Sequence, residues 1–321
     1  MVTLIDVHRH LWDFGWFPPS HLPTLNAASM RRTNRTWEQM APRVQQSPVM
    51  DGTGAYAIEE MDHYGIDFAN ILCLDWGLAY GPNEDNQVNV EEFHRKTAEV
   101  AERYAGRLSW FAGVDPRRPR AVAIFDDMVR NHGAVGLKVY PPNGYQANDE
   151  RCFPMYEKAI ELDVPVLIHT GGNIWAWPEW VELVARRYPD LRIFMGHVNL
   201  QFPFETQAYW RGLMAARGKR NVWLDICDWQ VLGAVKDENL PQLMKVLRVF
   251  FDTMGHERVV WGTDLPMVGS GPRRLTERWV DIAKNLPDWG AKYGVTFTEE
   301  ERDGLCNGAA RRALSNVDLP E

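Results

Sequence analysis

The chain has 321 residues, 45% of them hydrophobic and 24% charged, with a formal net charge of −8. That size suits one α/β domain with a full core. The acidic balance argues against nucleic acid or an anionic membrane as partner, and no apolar run approaches a transmembrane span.

The first strand is expected within a few residues of the start, from Leu4 to Val7, and it ends in His8-Arg9-His10. This leaves no room for a signal peptide. Residues two apart on a strand share a face, so His8 and His10 are expected to project together at its carboxyl end. From Trp12 to about Gly54 the chain is rich in Pro, Ser, Asn and Arg and reads as a long irregular insertion, a lid or binding loop. Ala55 to Tyr64 has helical spacing and stops at Gly65. Apolar runs then recur as strands at Phe68–Leu74, Leu108–Val114, Val135–Tyr140, Pro165–His169, Arg192–His197, Val222–Cys227 and Val259–Thr263. Helical stretches alternate with them, and the last helices span Leu275–Leu286 and Thr298–Leu314. Eight strands alternating with helices, with no linker between, predict a single (β/α)8 barrel over residues 1–321. It carries a long insertion after strand one and a helical extension at the C-terminus. An open doubly wound sheet would call for a glycine fingerprint where His-Arg-His stands.

Active sites of such barrels lie at the carboxyl ends of the strands. Those ends carry His8 and His10, Lys138, His169, His197 and Asp264. Four of only nine histidines fall there with compatible parity, together with one aspartate. Imidazoles and a carboxylate suit Zn²⁺ or a similar metal, which would bring the pKa of its water towards about 7. A carboxylate beside that water can relay its proton to a leaving group.

These residues carry a family resemblance. Asp6-Val7-His8-Arg9-His10, Ile168-His169-Thr170-Gly171, Gly196-His197 and Gly262-Thr263-Asp264-Leu265-Pro266 resemble the amidohydrolase superfamily. Within it they are similar to the amidohydrolase-related branch that includes aminocarboxymuconate semialdehyde decarboxylase and resorcylate decarboxylase. The closing Asn307-Gly308-Ala309-Ala310-Arg311-Arg312-Ala313-Leu314 is similar to the last helix of that branch. The resemblance implies that His8, His10, His169 and Asp264 bind one divalent metal, zinc first, with Asp264 also the proton relay. His197 would be a further ligand or a general acid/base that polarises a carbonyl. Val198-Asn199 follows His197 where many relatives have Leu-Gly. Gly136-Leu137-Lys138 resembles the stretch in dihydroorotase-like enzymes whose lysine is carboxylated and bridges a second metal. A cation for a substrate carboxylate, or a simple ion pair, are the other readings of Lys138.

Arg31 and Arg35 of the insertion are candidates to hold a substrate carboxylate. Trp12 and Trp175 are candidates to wall a pocket for a flat substrate. His21, His63, His94, His132 and His256 are expected in surface or capping roles. The four cysteines have no Cys-X-X-Cys spacing and are expected as buried free thiols in a reducing cytoplasm. The function expected first is metal-dependent hydrolysis, by activated water, of an amide, lactone or similar C–N or C–O bond in a small carboxylated or cyclic molecule. A decarboxylase or hydratase on the same scaffold is the alternative. A cationic clamp on a scissile carboxylate would distinguish it. Association into a homo-oligomer is left open.

Overall fold

The computed structural model describes residues 2–80, 89–199, 207–266 and 273–321. Two of the expected helical stretches, Glu84 to Tyr104 and Phe204 to Ala216, lie partly outside these residues. Eight strands form one parallel sheet in sequence order: β1 Ile5–Arg9, β2 Phe68–Leu72, β3 Leu108–Gly113, β4 Leu137–Val139, β5 Val166–His169, β6 Ile193–Gly196, β7 Val222–Asp225 and β8 Val259–Val260. The sheet curls until β8 meets β1. Across that seam Val7 N donates to Trp261 O at 3.2 Å, Asp264 N to His8 O at 2.7 Å and His10 N to Leu265 O at 2.7 Å.

The insertion after β1 is not irregular. It folds into α1 (His21–Thr33) and α2 (Trp37–Gln45). Thr36 and Gln39 form a capping box at the start of α2, and Pro23 sits in the first turn of α1, where a missing N–H is harmless. Only His21 and Leu22 of α1, and nothing in α2, are buried. The apolar period that reveals a helix in sequence is therefore missing. The remaining helices are α3 Ala55–Tyr64, α4 Val90–Arg103, α5 Ala121–His132, α6 Phe153–Glu161, α7 Pro178–Arg187, α8 Ala208–Ala216, α9 Leu240–Met254, α10 Arg273–Lys284, α11 Leu286–Lys292, α12 Glu299–Asp303 and α13 Ala309–Ala313.

Alternation along the strands splits the core in two. Ala69, Ile71, Trp110, Ala112, Ile168, Met195 and Leu224 belong to the larger apolar cluster, together with helix residues such as Phe125, Leu213 and Leu247. Phe68, Phe111, Leu167, Phe194, Trp223 and Val260 form a second cluster, which Leu314 joins from the C-terminus. His94 is fully buried, correcting its expected surface role: its ring joins α4 to β3, with Gly113 N donating to Nε2 at 2.9 Å. All four cysteines are free and buried.

Between Asp6 and Arg9 the β1–β2 register slips: Asp6 pairs with Ala69 but Arg9 with Ile71. This bulge breaks the alternation that would put Asp6 on the face of His8. Asp6 instead accepts from Thr263 N (2.9 Å) and Thr263 Oγ1 (2.5 Å), pinning the strand-eight segment. Arg9 is fully buried and bonds Glu60 of α3 at 2.5 Å, while its Nε and Nη1 have no partner among the described residues. Glu60→Leu should therefore cost about 3–5 kcal/mol, because it strands a buried guanidinium. The check is a lower urea midpoint at constant m; an unchanged midpoint would show that the pair does not hold α3 to the barrel.

Candidate metal centre and substrate cavity

Two imidazoles from β1 and a carboxylate from the end of β8 converge at the barrel mouth. His10 Nε2 lies 2.9 Å and His8 Nε2 3.2 Å from Asp264 Oδ1. The other ring nitrogens are committed: His10 Nδ1 to Leu72 O at 2.8 Å, His8 Nδ1 to Asp225 Oδ2 at 2.5 Å. A carbonyl and a carboxylate only accept, so each Nδ1 carries the proton in the neutral ring and each Nε2 presents a lone pair. Three acceptors thus face one another at close range, an arrangement that calls for a cation. The charge distribution agrees. Burial and the neighbouring Lys138 push the His8 pKa down, yet Asp225 and Asp264 outweigh them and hold it above the ordinary value. Burial opposes ionisation of Asp264, but His8, His10 and His197 hold its carboxyl well below the usual carboxylate range.

Room for this cluster depends on Gly262, where a Cβ would come within 2.9 Å of His8 Cβ and 3.0 Å of Cys227 Cβ. His197 follows β6 in a left-handed run, with φ of 63° at His197, 52° at Val198 and 55° at Asn199. Left-handed backbone is strained at a β-branched residue. The run is held from both sides: Thr170 Oγ1 donates to Gly196 O at 2.7 Å and accepts from Asn199 N at 2.8 Å, and Asn199 Nδ2 donates to Ala208 O. Gly212 lets α8 close on it, since a Cβ there would meet Val198 O at 2.5 Å. Burial lowers the His197 pKa to about 3, so the ring is neutral. His169 ends β5 with its ring 4.4 Å from that of His197 and 4.9 Å from that of Tyr140. Burial, then His197, keeps its pKa well below normal. Lys138 Nζ lies 3.3 Å from His8 Nε2, and burial brings its ammonium down to about 8.

His8, His10 and Asp264 have ligating atoms within 4.8 Å of one another, as do His197, Asp228 and Asp264; no such grouping among the described residues includes His169. Three groups at the end of β7 or just after it were not among the sequence candidates. Asp225 orients His8. Cys227 Sγ lies 3.0 Å from His8 Nδ1 and 3.2 Å from His197 Nδ1, a thiol that burial keeps protonated. Asp228 Oδ1 is buried without a partner among the described residues. The alternation of Asp225 with Cys227 on one strand face was the available signal, but isolated polar residues at a strand end read as caps. Asp225→Asn should weaken metal binding roughly 10–100-fold by loosening His8. Titration of the metal-free protein with Zn²⁺ or Mn²⁺ checks it; unchanged affinity would show that His8 does not depend on Asp225.

A cavity of about 310 Å³ opens over the cluster, lined among others by His10, Lys138, His169, His197, Asp228 and Asp264. Its walls are apolar: Trp12, Phe17, Leu74, Trp76 and Tyr140. Trp12 stacks on His10 with centroids 4.7 Å apart and its Nε1 donates to Pro266 O. Asp75, gripped by Arg118 at 2.5 and 2.7 Å, anchors the loop that carries Trp76. Three expected contributors lie elsewhere. Arg31 and Arg35 are solvent-exposed on or just after α1, and Arg35 lines a separate groove with Arg32, Arg43 and Arg273. Trp175 is 39% exposed on a short turn before α7. No arginine lines the cavity among the described residues, and the segments outside them contain neither Arg nor Lys. A larger groove of about 630 Å³ at the starts of β2 and β3 holds none of the metal-ligating groupings.

Comparison with known proteins places this arrangement. Residues 5–315 match the family model described as Amidohydrolase. The chain is 22% identical over 246 residues to the 2-keto-4-carboxy-3-hexenedioate hydratase of Sphingobium sp., covering 65% of this chain and 67% of that protein. Its fold is similar to a structure described as a probable 2-pyrone-4,6-dicarboxylic acid hydrolase from Acinetobacter baumannii with citric acid bound (TM-score 0.63, 14% identity, 98% and 99% of the two chains). It is also similar to a variant of the 5-carboxyvanillate decarboxylase of Novosphingobium aromaticivorans with bound manganese and 3-methoxy-4-hydroxy-5-nitrobenzoic acid (TM-score 0.62, 15% identity, 98% and 97%).

Proposed function

The chain belongs to the amidohydrolase family, and within it we propose that this protein is a metal-dependent hydrolase of a small, flat lactone, ester or amide. The observation that carries this reading is a cavity with an ionised carboxylate and neutral imidazoles at its floor, in which the one lysine or arginine among the described residues, Lys138, stands 3.3 Å from His8 and no guanidinium is present to clamp a scissile carboxylate. His8, His10 and Asp264 would hold the metal, with His169 the next donor; zinc is the first candidate and manganese, present in the related decarboxylase, the second. When bound, the metal supplies Lewis acidity to the carbonyl and to water at that point. Asp264 takes the proton of the attacking water and passes it to the leaving oxygen or nitrogen as the acyl C–O or C–N bond breaks. His197, neutral and fixed by its left-handed loop, offers a ring N–H to the carbonyl oxygen. The aromatic walls hold the substrate face and thin the surrounding water.

A lyase is the second reading. The relatives named hydratase and decarboxylase favour it, and so does Asp228, a buried carboxyl with a free oxygen in a position to deliver a proton. Metal-loaded protein should be offered aromatic lactones, esters, anilides and aromatic acids, with new carboxylic acid and released CO₂ both quantified. Hydrolysis of a lactone, ester or amide without CO₂ is expected. CO₂ from an aromatic acid with no hydrolysis in the panel would overturn the reading.

Lys138 separates one metal from two. Lys138→Ala should leave metal content at about one per chain and raise KM, or lower kcat, the result expected where the buried amine is a cation for a substrate carboxylate rather than a carbamate. Metal counting in bicarbonate checks it; two metals in the wild type falling to one or none would establish the carboxylated, bridging lysine.

A further inference from the structure

The cavity has a polar group at its far end that hydrolysis leaves unused. A row of rings leads to it: His10 stacks on Trp12 (4.7 Å), Trp12 lies against Trp76 (5.2 Å), and Trp76 stacks on His21 (4.0 Å). His21, the first residue of α1, is 7% exposed, lines the cavity and also stacks on Phe17 at 5.3 Å. Its expected surface role is thus corrected. Tyr80 Oη sits 3.0 Å from its Nδ1, whereas the buried Nε2 has no hydrogen-bond partner among the described residues. Burial brings the pKa of the ring down to about 4, so it is neutral. A neutral ring offers at Nε2 either an N–H or a lone pair, and a hydroxyl, which both donates and accepts, satisfies either one.

The surroundings decide what kind of oxygen fits. Trp12, Phe17, Leu25 and Trp76 supply apolar surface, and the one basic side chain lining the cavity among the described residues, Lys138, lies at the opposite end against His8. An uncharged oxygen gains a hydrogen bond there at little cost. A carboxylate would lose its hydration with no counter-ion to replace it.

We propose that His21 is a specificity-determining residue whose Nε2 pairs with a hydroxyl on the end of a flat substrate remote from His8, His10 and Asp264, and that this end of the site rejects a carboxylate. The inference rests on the reading of the His8–His10–Asp264 cluster as the end that holds the acyl or carboxyl group. Product-like acids test it by quenching of tryptophan fluorescence in the metal-loaded protein, using benzoate, 3- and 4-hydroxybenzoate, isophthalate and terephthalate. The better hydroxybenzoate should bind roughly tenfold more tightly than benzoate, and both dicarboxylates more weakly than benzoate. His21→Phe, which keeps the stack on Trp76, should bring the hydroxybenzoate down to the level of benzoate. His21→Gln, which keeps a donor, should recover part of the preference. A dicarboxylate that binds as well as benzoate overturns the inference, as does a hydroxyl preference that survives in His21→Phe. Should that variant not fold, the wild-type series and His21→Gln decide between the outcomes. A His21→Gln protein that binds both hydroxybenzoates no better than benzoate then overturns the assignment of Nε2. Benzoate binding without any hydroxyl preference defeats this inference alone. Failure of every acid to bind, or binding indifferent to metal, defeats the reading of the metal end and this inference with it.

Discussion

Replacing His8 and His10 together by alanine is expected to leave a folded barrel that holds no divalent metal and turns over no substrate. The reason is the geometry of the two Nε2 lone pairs, each fixed by a partner on Nδ1 and each within 3.2 Å of the same Asp264 oxygen. Removing both leaves Asp264 with His197, Asp228 and His169 but without the two Nε2 lone pairs that Leu72 and Asp225 hold towards it. Metal analysis of the purified protein should fall from about one per chain to background. Thermal unfolding gives an independent readout. A ligand held a thousandfold above its Kd stabilises the native state by about 4 kcal/mol, so the wild type should melt higher with added metal and the double variant should not respond. Stoichiometric metal in the variant would sink the assignment of the centre.

The second large effect is expected at Asp264. Asp264→Asn keeps the shape and removes the basic oxygen, so turnover should fall roughly 10²–10⁴-fold, the span usual for general acid–base groups. Metal content measured on the same variant separates its two roles: a rate loss with metal retained isolates the relay, and a rate loss with metal gone shows the ligand. Because its neighbours hold this carboxyl well below the usual range, it stays ionised down to strongly acidic pH. The acid limb of kcat/KM should therefore not reflect an ordinary carboxylate. An Asn variant with full metal and near wild-type turnover would place the relay elsewhere.

Much of the barrel could be read from the chain because its strands are short apolar runs alternating with amphipathic helices, a pattern that burial imposes on every βα unit. The His8/His10 pair and Asp264 were visible because polar residues at the ends of buried strands have few reasons to be there. What escaped the sequence depended on geometry between segments. The bulge in β1 sends Asp6 to Thr263, and a strict alternation cannot show it. Asp225 matters only because β7 and β1 flank β8 once the barrel closes, which brings their ends together. His21 looked like a surface histidine because α1 has almost no apolar face to announce a buried side. Arg31 and Arg35 were attractive by chemistry alone, and the helix that carries Arg31 turns both to solvent.

The seam between β1 and the strand-eight segment has a consequence for biosynthesis. His8 and His10 are synthesised before β2 to β8, whereas Asp264 follows all eight strands, so the backbone bonds Asp264 N to His8 O and His10 N to Leu265 O cannot form until β8 has been made. A nascent chain that stops short of β8 thus lacks the one carboxylate that His8 and His10 share, a poorer set with which to retain an ion. Metal loading on the proposed donors must then follow synthesis of the strand-eight segment, which shields shorter chains from picking up the wrong metal.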